Sequence, residues 1–214
     1  MSQFFAIHPT HPETRLIKRA VDIVRAGGVI AYPTDSCYAI GCHIGDKQAM
    51  ERIRRIRGVD ERHHFTLVCR DLSEIGTFAK VDNAQYRLLK AHTSGSYTFI
   101  LRATRELPRR LAHPKRATVG VRVPEHTVTH ALLAELNEPM LSSTLMLPGE
   151  VEPLNDVDII RKKLEHQVDL ILDGGACGIE PTTVIDLSGS APTLVRRGKG
   201  DIASFGFDES PPQH

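Results

Sequence analysis

Apolar stretches of strand length alternate with amphipathic stretches of helical spacing along almost the whole chain, and this alternation restricts the fold more than any other feature. Val29-Ile30-Ala31-Tyr32 is a short apolar run stopped by Pro33, and Phe65-Thr66-Leu67-Val68-Cys69 reads as a buried strand. Tyr97, Phe99 and Leu101 alternate with Thr98, Ile100 and Arg102, the period of a strand. Further strands are predicted over 118–123, 139–143, 168–172, 183–187 and 193–196. Between them, Leu16, Ile17, Ala20, Val21 and Val24 repeat with helical spacing, opened by a predicted capping box at Thr10-His11-Pro12-Glu13 and closed by Gly27-Gly28. Asp46, Asp71 and Asp82 are predicted helix caps, and 126–136 and 156–166 are predicted helices. Alternating elements followed by closely spaced terminal strands define a single α/β (α+β) domain. Its sheet is twisted and mixed parallel/antiparallel, flanked by helices. No linker, repeat or low-complexity stretch divides the 214 residues. One domain is therefore expected over 5–205, with a disordered tail at 208–214.

Composition excludes several classes. No run of roughly 18 apolar residues is present, so no membrane-spanning helix is expected. The first residues, Met1-Ser2-Gln3-Phe4-Phe5, do not read as a signal peptide. A cytoplasmic location follows as the expectation. The four cysteines, Cys37, Cys42, Cys69 and Cys177, lack the spacing of a zinc site and are expected to be reduced. His126 and His130 have the i, i+4 spacing of helical metal motifs without the accompanying glutamate. No metal held by protein side chains is expected. Neither Gly-x-Gly-x-x-Gly nor the Walker spacing occurs, which argues against dinucleotide-binding and P-loop sites.

The net charge is only +1, yet the charge is uneven. Seven basic residues (Arg102, Arg105, Arg109, Arg110, Lys115, Arg116, Arg122) stand against Glu106 alone, and Arg52, Arg54, Arg55 and Arg57 form a second group. Such local density reads either as solvated surface or as the footprint of an anionic ligand.

Six segments have the residue types for a ligand site. Pro33 to Tyr38 follows a buried strand and carries Thr34, Ser36 and Tyr38. It reads as a turn or as a binding loop at a strand end. Arg55 and Arg57 project from the end of a helix toward Arg62, His63 and His64, and guanidinium groups bind phosphate bidentately. Arg122 lies in an apolar strand and needs an anionic partner, either a structural aspartate or a ligand carboxylate. Ser142, Thr144, Thr182, Thr183 and Arg196 place hydroxyls or an arginine at other strand ends.

Taken in order, these segments resemble the YrdC/YciO-like family over nearly the whole chain. Pro33-Thr34-Asp35-Ser36-Cys37-Tyr38 is similar to that family's Pro-Thr-Glu-Thr-x-Tyr-Gly. Arg122-Val123-Pro124-Glu125-His126 is similar to its Arg-x-Pro-x-His, Asp173-Gly174-Gly175 with 182–186 to its Asp-Gly-Gly and Ser-Thr-Val-Val-Asp, and 195–198 to its Leu-Arg-Pro-Gly. The stretches between are closer to the YciO branch. The best-understood relatives are threonylcarbamoyl-adenylate synthases, which join threonine, bicarbonate and ATP. The resemblance implies a basic concave face and binding of ATP or AMP, with Mg²⁺ accompanying ATP as substrate and no tightly bound cofactor. It also implies binding of RNA (double-stranded RNA, tRNA or rRNA) by a monomer or weak dimer.

The threonine-like pocket it implies is Ser36, Tyr38, Arg122, Ser142 and Thr182. The implied nucleotide side is Arg55, Arg57, His64, Thr118, Thr144 and Arg196. The RNA face falls on Arg109, Arg110, Lys115 and Arg116. Three departures fall on the nucleotide side. Arg57 and Val59 stand in the register of the synthases' Lys-x-Arg if Ile53 and Ile56 set it. Thr144-Leu145-Met146 stands for their Ser-x-Asn, and Cys69 for their pocket histidine. Methionine cannot make asparagine's hydrogen bonds. The readings that follow are a nucleotide- and RNA-binding module, an enzyme that makes or hydrolyses a threonylcarbamoyl-adenylate-type compound, or an RNA-metabolism partner with a vestigial pocket.

Overall fold

A computed structural model describes residues 1–61, 63–93 and 95–207. The expected tail at 208–214, and Arg62, lie outside the described residues. In chain order the elements are β1 (Gln3–Ala6), α1 (Thr14–Arg25), β2 (Ile30–Tyr32), β3 (Ala39–His43), α2 (Lys47–Arg57), β4 (Thr66–Val68), α3 (Leu72–Phe78), β5 (Ala79–Lys80), α4 (Asn83–His92) and β6 (Tyr97–Ala103). They continue with β7 (Thr118–Arg122), α5 (Thr127–Leu136), β8 (Met140–Thr144), α6 (Val157–Leu164), β9 (Leu170–Asp173), β10 (Thr183–Asp186) and β11 (Thr193–Arg196). One mixed sheet runs β1-β9-β2-β3-β8-β4-β7-β6-β10-β11, with β5 paired to β6. Parallel pairs (β1/β9, β2/β9, β4/β7, β6/β10) are interleaved with antiparallel ones. Of the closely spaced final strands, β10 and β11 pair antiparallel as the spacing suggests, whereas β9 runs parallel to both its neighbours.

The local signals account for most of the helices. Asp46 accepts the Ala49 N–H at 2.8 Å, Asp71 caps α3, and Asp82 with Gln85 forms a complete capping box on α4. The capping box predicted at Thr10 does not form. Glu13 occupies the N-cap of α1 with no side-chain cap bond, and the Thr10 N–H and hydroxyl turn back to His8 Nδ1 at 3.3 and 3.2 Å. The His8 imidazole has taken the Thr10 N–H, and the Glu13 carboxylate accepts the His8 N–H in its place. Strands β1, β3 and β5 have no counterpart in the sequence reading.

Side-chain alternation divides the core between the two faces. Ala31, Ile40, Leu67, Phe99, Val121 and Ile185 face α2, α3, α4 and α6. Ile30, Tyr32, Ala39 and Val68 face α1 and α5, which bring Val24 and Leu132 onto the sheet. This second core involves β1, β9, β2, β3, β8 and β4 only. Farther along, the same face carries Thr66, Gly120, Arg122 and Thr98 among its residues, and there the sheet floors a cavity. Among the described residues no helix is long and apolar enough to cross a membrane.

Candidate functional site

The cavity encloses about 430 Å³, within the range of small-molecule sites. One rung of the ladder runs across its floor: Ser142 pairs with Thr66, Thr66 with Gly120, and Gly120 with Ile100. Around this floor stand four arginines (Arg57, Arg116, Arg122, Arg196) and three histidines (His63, His64, His113), and no aspartate or glutamate lines the cavity.

Two of the arginines are neutralised from behind the wall. Arg122, at the end of β7, donates through Nη2 to Asp35 Oδ1 at 2.6 Å, and the two side chains are only 10% and 12% exposed. The anionic partner that Arg122 requires is therefore a structural aspartate. Asp35 also accepts the Glu125 N–H (3.1 Å) and the Ser96 hydroxyl (2.8 Å). Arg116 is tied to Asp186 and Ser188. Arg57 and Arg196 meet no carboxylate among the described residues. Arg57 Nη1 donates to Ser143 Oγ at 2.6 Å and to His63 Nε2 at 2.8 Å, while its Nε is buried without a partner. Arg196 donates to the Thr182 carbonyl at 2.9 Å. Burial, and then their mutual repulsion for Arg57, lower the proton affinity of both guanidinium groups. They remain charged at neutral pH because arginine starts so high.

Local backbone chemistry sets these groups in place. Gly58 ends α2 at φ +63°, a conformation costly for other residues, and turns the chain so that Arg57 and His63 meet over Ser143. Gly198 sits so close to Pro181 and Thr182 that an added Cβ would fall 2.3 Å from the Pro181 carbonyl oxygen. This contact lets β11 bring Arg196 onto Thr182. Thr34 folds its own loop, accepting the Ser36 and Cys37 N–H groups and donating to the Cys37 carbonyl at 2.6 Å. Thr98 and Thr182 share a hydrogen bond of 2.8 Å, and the buried Tyr32 hydroxyl, its pKa pushed up to about 12 by burial, donates to Ser142 Oγ at 2.6 Å.

Of the candidates read from sequence, Arg57, His64, Thr118, Arg122, Ser142, Thr144, Thr182 and Arg196 line this cavity, and Arg116 joins them. Six are elsewhere. Ser36 is fully buried behind Thr34, 3.2 Å from its hydroxyl, and does not reach the cavity wall. Tyr38 turns into the core and donates to the Gly175 carbonyl at 3.0 Å instead of walling the pocket. Arg55 is solvent-exposed on the outer face of α2. Arg109 and Arg110 border a smaller neighbouring cavity, and Lys115 is exposed outside both. His63 and Ser143, which lie within segments singled out from sequence but were given no role there, also line the cavity, and His113 is a site residue that sequence reasoning passed over. Met146 lines the wall, so an apolar thioether stands at that point.

His63 is the most perturbed base in the cavity. Burial first, and the adjacent Arg57 next, push its pKa down to about 4. The unfolded chain binds a proton there near pH 6.5 and the folded protein does not. This contribution to stability is complete above pH 6.5 and is lost as pH falls toward 4. We expect the urea midpoint to drop between pH 7.5 and 5, and to drop less in His63→Gln. An equal drop in both proteins would assign the acid sensitivity to other groups.

An α/β domain whose uncovered sheet face forms a cationic, hydroxyl-lined cavity is the class that fold and site define. The Sua5/yciO/yrdC family model, described as telomere recombination, matches residues 22–198. The chain belongs to this family. It is 58% identical over 205 residues to YciO of Escherichia coli K12, covering 96% of this chain and 100% of that protein. The crystal structure of E. coli YciO superposes with a TM-score of 0.92 at 57% identity, over 96% of this chain and 100% of the other. The threonylcarbamoyl-AMP synthase of Chromobacterium violaceum is 31% identical over 180 residues, covering 84% of this chain and 92% of the synthase. The P. abyssi Sua5 structure complexed with L-threonine shares the fold, with a TM-score of 0.84 at 24% identity over 92% of this chain and 58% of that one.

Proposed function

We propose that this protein binds a nucleotide in the cavity through its phosphates, and RNA (double-stranded RNA, tRNA or rRNA) along a basic face formed by Arg109, Arg110, Lys115 and Arg116. The observation that supports this reading is the charge of the wall: four arginines, two of them without a carboxylate partner among the described residues, and no acid lining the cavity. A site so built is incomplete without an anion. Phosphate accepts the forked hydrogen bonds that arginine offers. With no carboxylate on the wall, Mg²⁺ would enter on the nucleotide's own phosphates.

A second reading is adenylate chemistry of the threonylcarbamoyl-AMP type. Its support is the relationship to the synthases, together with the hydroxyls of Thr34, Ser142 and Thr182 beside Arg122, a set suited to a small hydroxylated amino acid. Met146 weighs against it. A missing donor near a reacting phosphate commonly costs about 10²–10³ in rate, and methionine offers none.

Calorimetric titration with AMP and with ATP, followed by an assay containing ATP, Mg²⁺, threonine and bicarbonate, separates the two. Saturable nucleotide binding without threonine-dependent pyrophosphate release is the expected result. Clear threonine-dependent release would transfer the assignment to the enzyme. Absence of nucleotide binding would sink both readings. For RNA, affinity is expected to fall steeply as salt rises, and a flat response would remove RNA from the proposal.

A further inference from the structure

Beside the main cavity lies a smaller one of about 250 Å³. His63, His64, Phe65 and Leu111 line both, so the same side chains form the partition between them. Beyond the partition the smaller cavity carries Arg54, Arg109 and Arg110, with Glu61 as its one acid. Arg54 is held in place by Glu51 at 2.5 Å and lies over the Phe65 ring, 5.2 Å from its centroid, and its Nε is buried without a partner among the described residues. Arg110 donates to the Gly45 carbonyl at 2.7 Å, and Arg109 is exposed at the mouth. Neither meets a carboxylate among the described residues.

We propose that the two cavities hold consecutive nucleotides of one strand: a terminal nucleotide with its phosphate on Arg57 and Arg196, and the next phosphodiester on Arg109 and Arg110. This rests on the nucleotide reading of the main cavity and specifies its ligand as the end of an oligonucleotide. Three features carry it. The two arginine sets line cavities that share four side chains. That partition includes the rings of His63 and of the exposed His64, which is tilted against His113 at 4.7 Å, flat surfaces on which bases stack irrespective of sequence. The smaller cavity is lined by Arg109, Arg110 and Pro114, and Lys115, next to Pro114 in the chain, is exposed, so a continuing strand would meet a further cation that a nucleoside polyphosphate does not need.

The test titrates the full-length protein with AMP, with ATP and with the 5′-phosphorylated dinucleotide pApA. pApA is expected to bind at least tenfold more tightly than AMP. The Arg109→Glu, Arg110→Glu double variant is expected to bring the ratio of the two affinities close to one, with AMP binding serving as the check that the variant is folded. A ratio near one in the unmodified protein, or a ratio that the double variant does not change, overturns the proposal and leaves the main cavity's reading standing. Equal tightening by ATP, lost in the same variant, assigns the second site to a polyphosphate and overturns the oligonucleotide. Failure of AMP and pApA alike to bind overturns both readings.

Discussion

Replacing Asp35 with alanine is expected to destabilise the protein by about 3–5 kcal/mol, the cost of leaving a buried guanidinium without its counter-ion. Arg122 and Asp35 are 10% and 12% exposed, so the little water that reaches Arg122 from the cavity does not make up for the lost carboxylate. Arg122 Nε is already buried and unpartnered, which leaves the side chain no alternative bond. Ser96 and the Glu125 N–H lose their acceptor in the same step. Urea denaturation gives the measurement, and a loss below about 1 kcal/mol would show that Arg122 can find water or another partner. A second readout identifies the cause. Because Arg122 also lines the cavity, inorganic phosphate there can replace the missing negative charge. Millimolar phosphate is therefore expected to raise the melting temperature of Asp35→Ala more than that of the unmodified protein. Equal shifts would mean that the anion does not reach Arg122.

Particular residues show how much of this was legible beforehand. Arg122 in an apolar strand announced its own burial and its need for an anion. The identity of that anion was not readable, because Asp35 lies 87 positions away and the two meet only through the sheet. Arg55 and Arg57 both read as cleft residues, and the sequence did not separate them; in the folded chain Ile53 and Ile56 face the core, Arg57 meets Ser143 and Arg55 turns outward. Strand β3 escaped notice because Ala39-Ile40-Gly41-Cys42-His43 has low strand propensity and follows a run of turn formers. It is a strand because β2 and β8 pair with it on both sides. Tyr38 was misplaced for a related reason. With β3 unrecognised, nothing indicated that its side chain enters the core. His63 sat in a charged connection with no pattern to single it out. Its place in the site depends on the turn at Gly58 and on Ser143, which is 80 residues further along.

The other large effect has opposite signs for binding and stability. In Arg57→Met, nucleotide affinity is expected to fall about 100-fold, ~2.7 kcal/mol, since a desolvated charge facing a phosphate is lost. Stability is expected to hold or to rise. Arg57 sits near Arg196 with no carboxylate partner among the described residues, so the empty protein bears the cost of its desolvation. Methionine keeps much of the length and packs flexibly. The two groups it abandons do not become orphans, because Ser143 Oγ and His63 Nε2 already lie 2.8 Å apart and can bond to each other. The stability lost on acidification should also shrink in this variant, because Arg57 is the largest nearby charge opposing protonation of His63. Arg57→Lys separates charge from geometry: it keeps the cation and discards the fork, so its affinity should lie between the two. Thermal unfolding and calorimetry on the same samples decide the matter. A variant that binds AMP as tightly as the unmodified protein would place the phosphate away from Arg57. A variant that loses stability together with affinity would make Arg57 a structural residue, held for its bonds to Ser143 and His63 and not for an anion. Gain in one quantity with loss in the other is the signature of a residue whose strain is relieved only when ligand arrives.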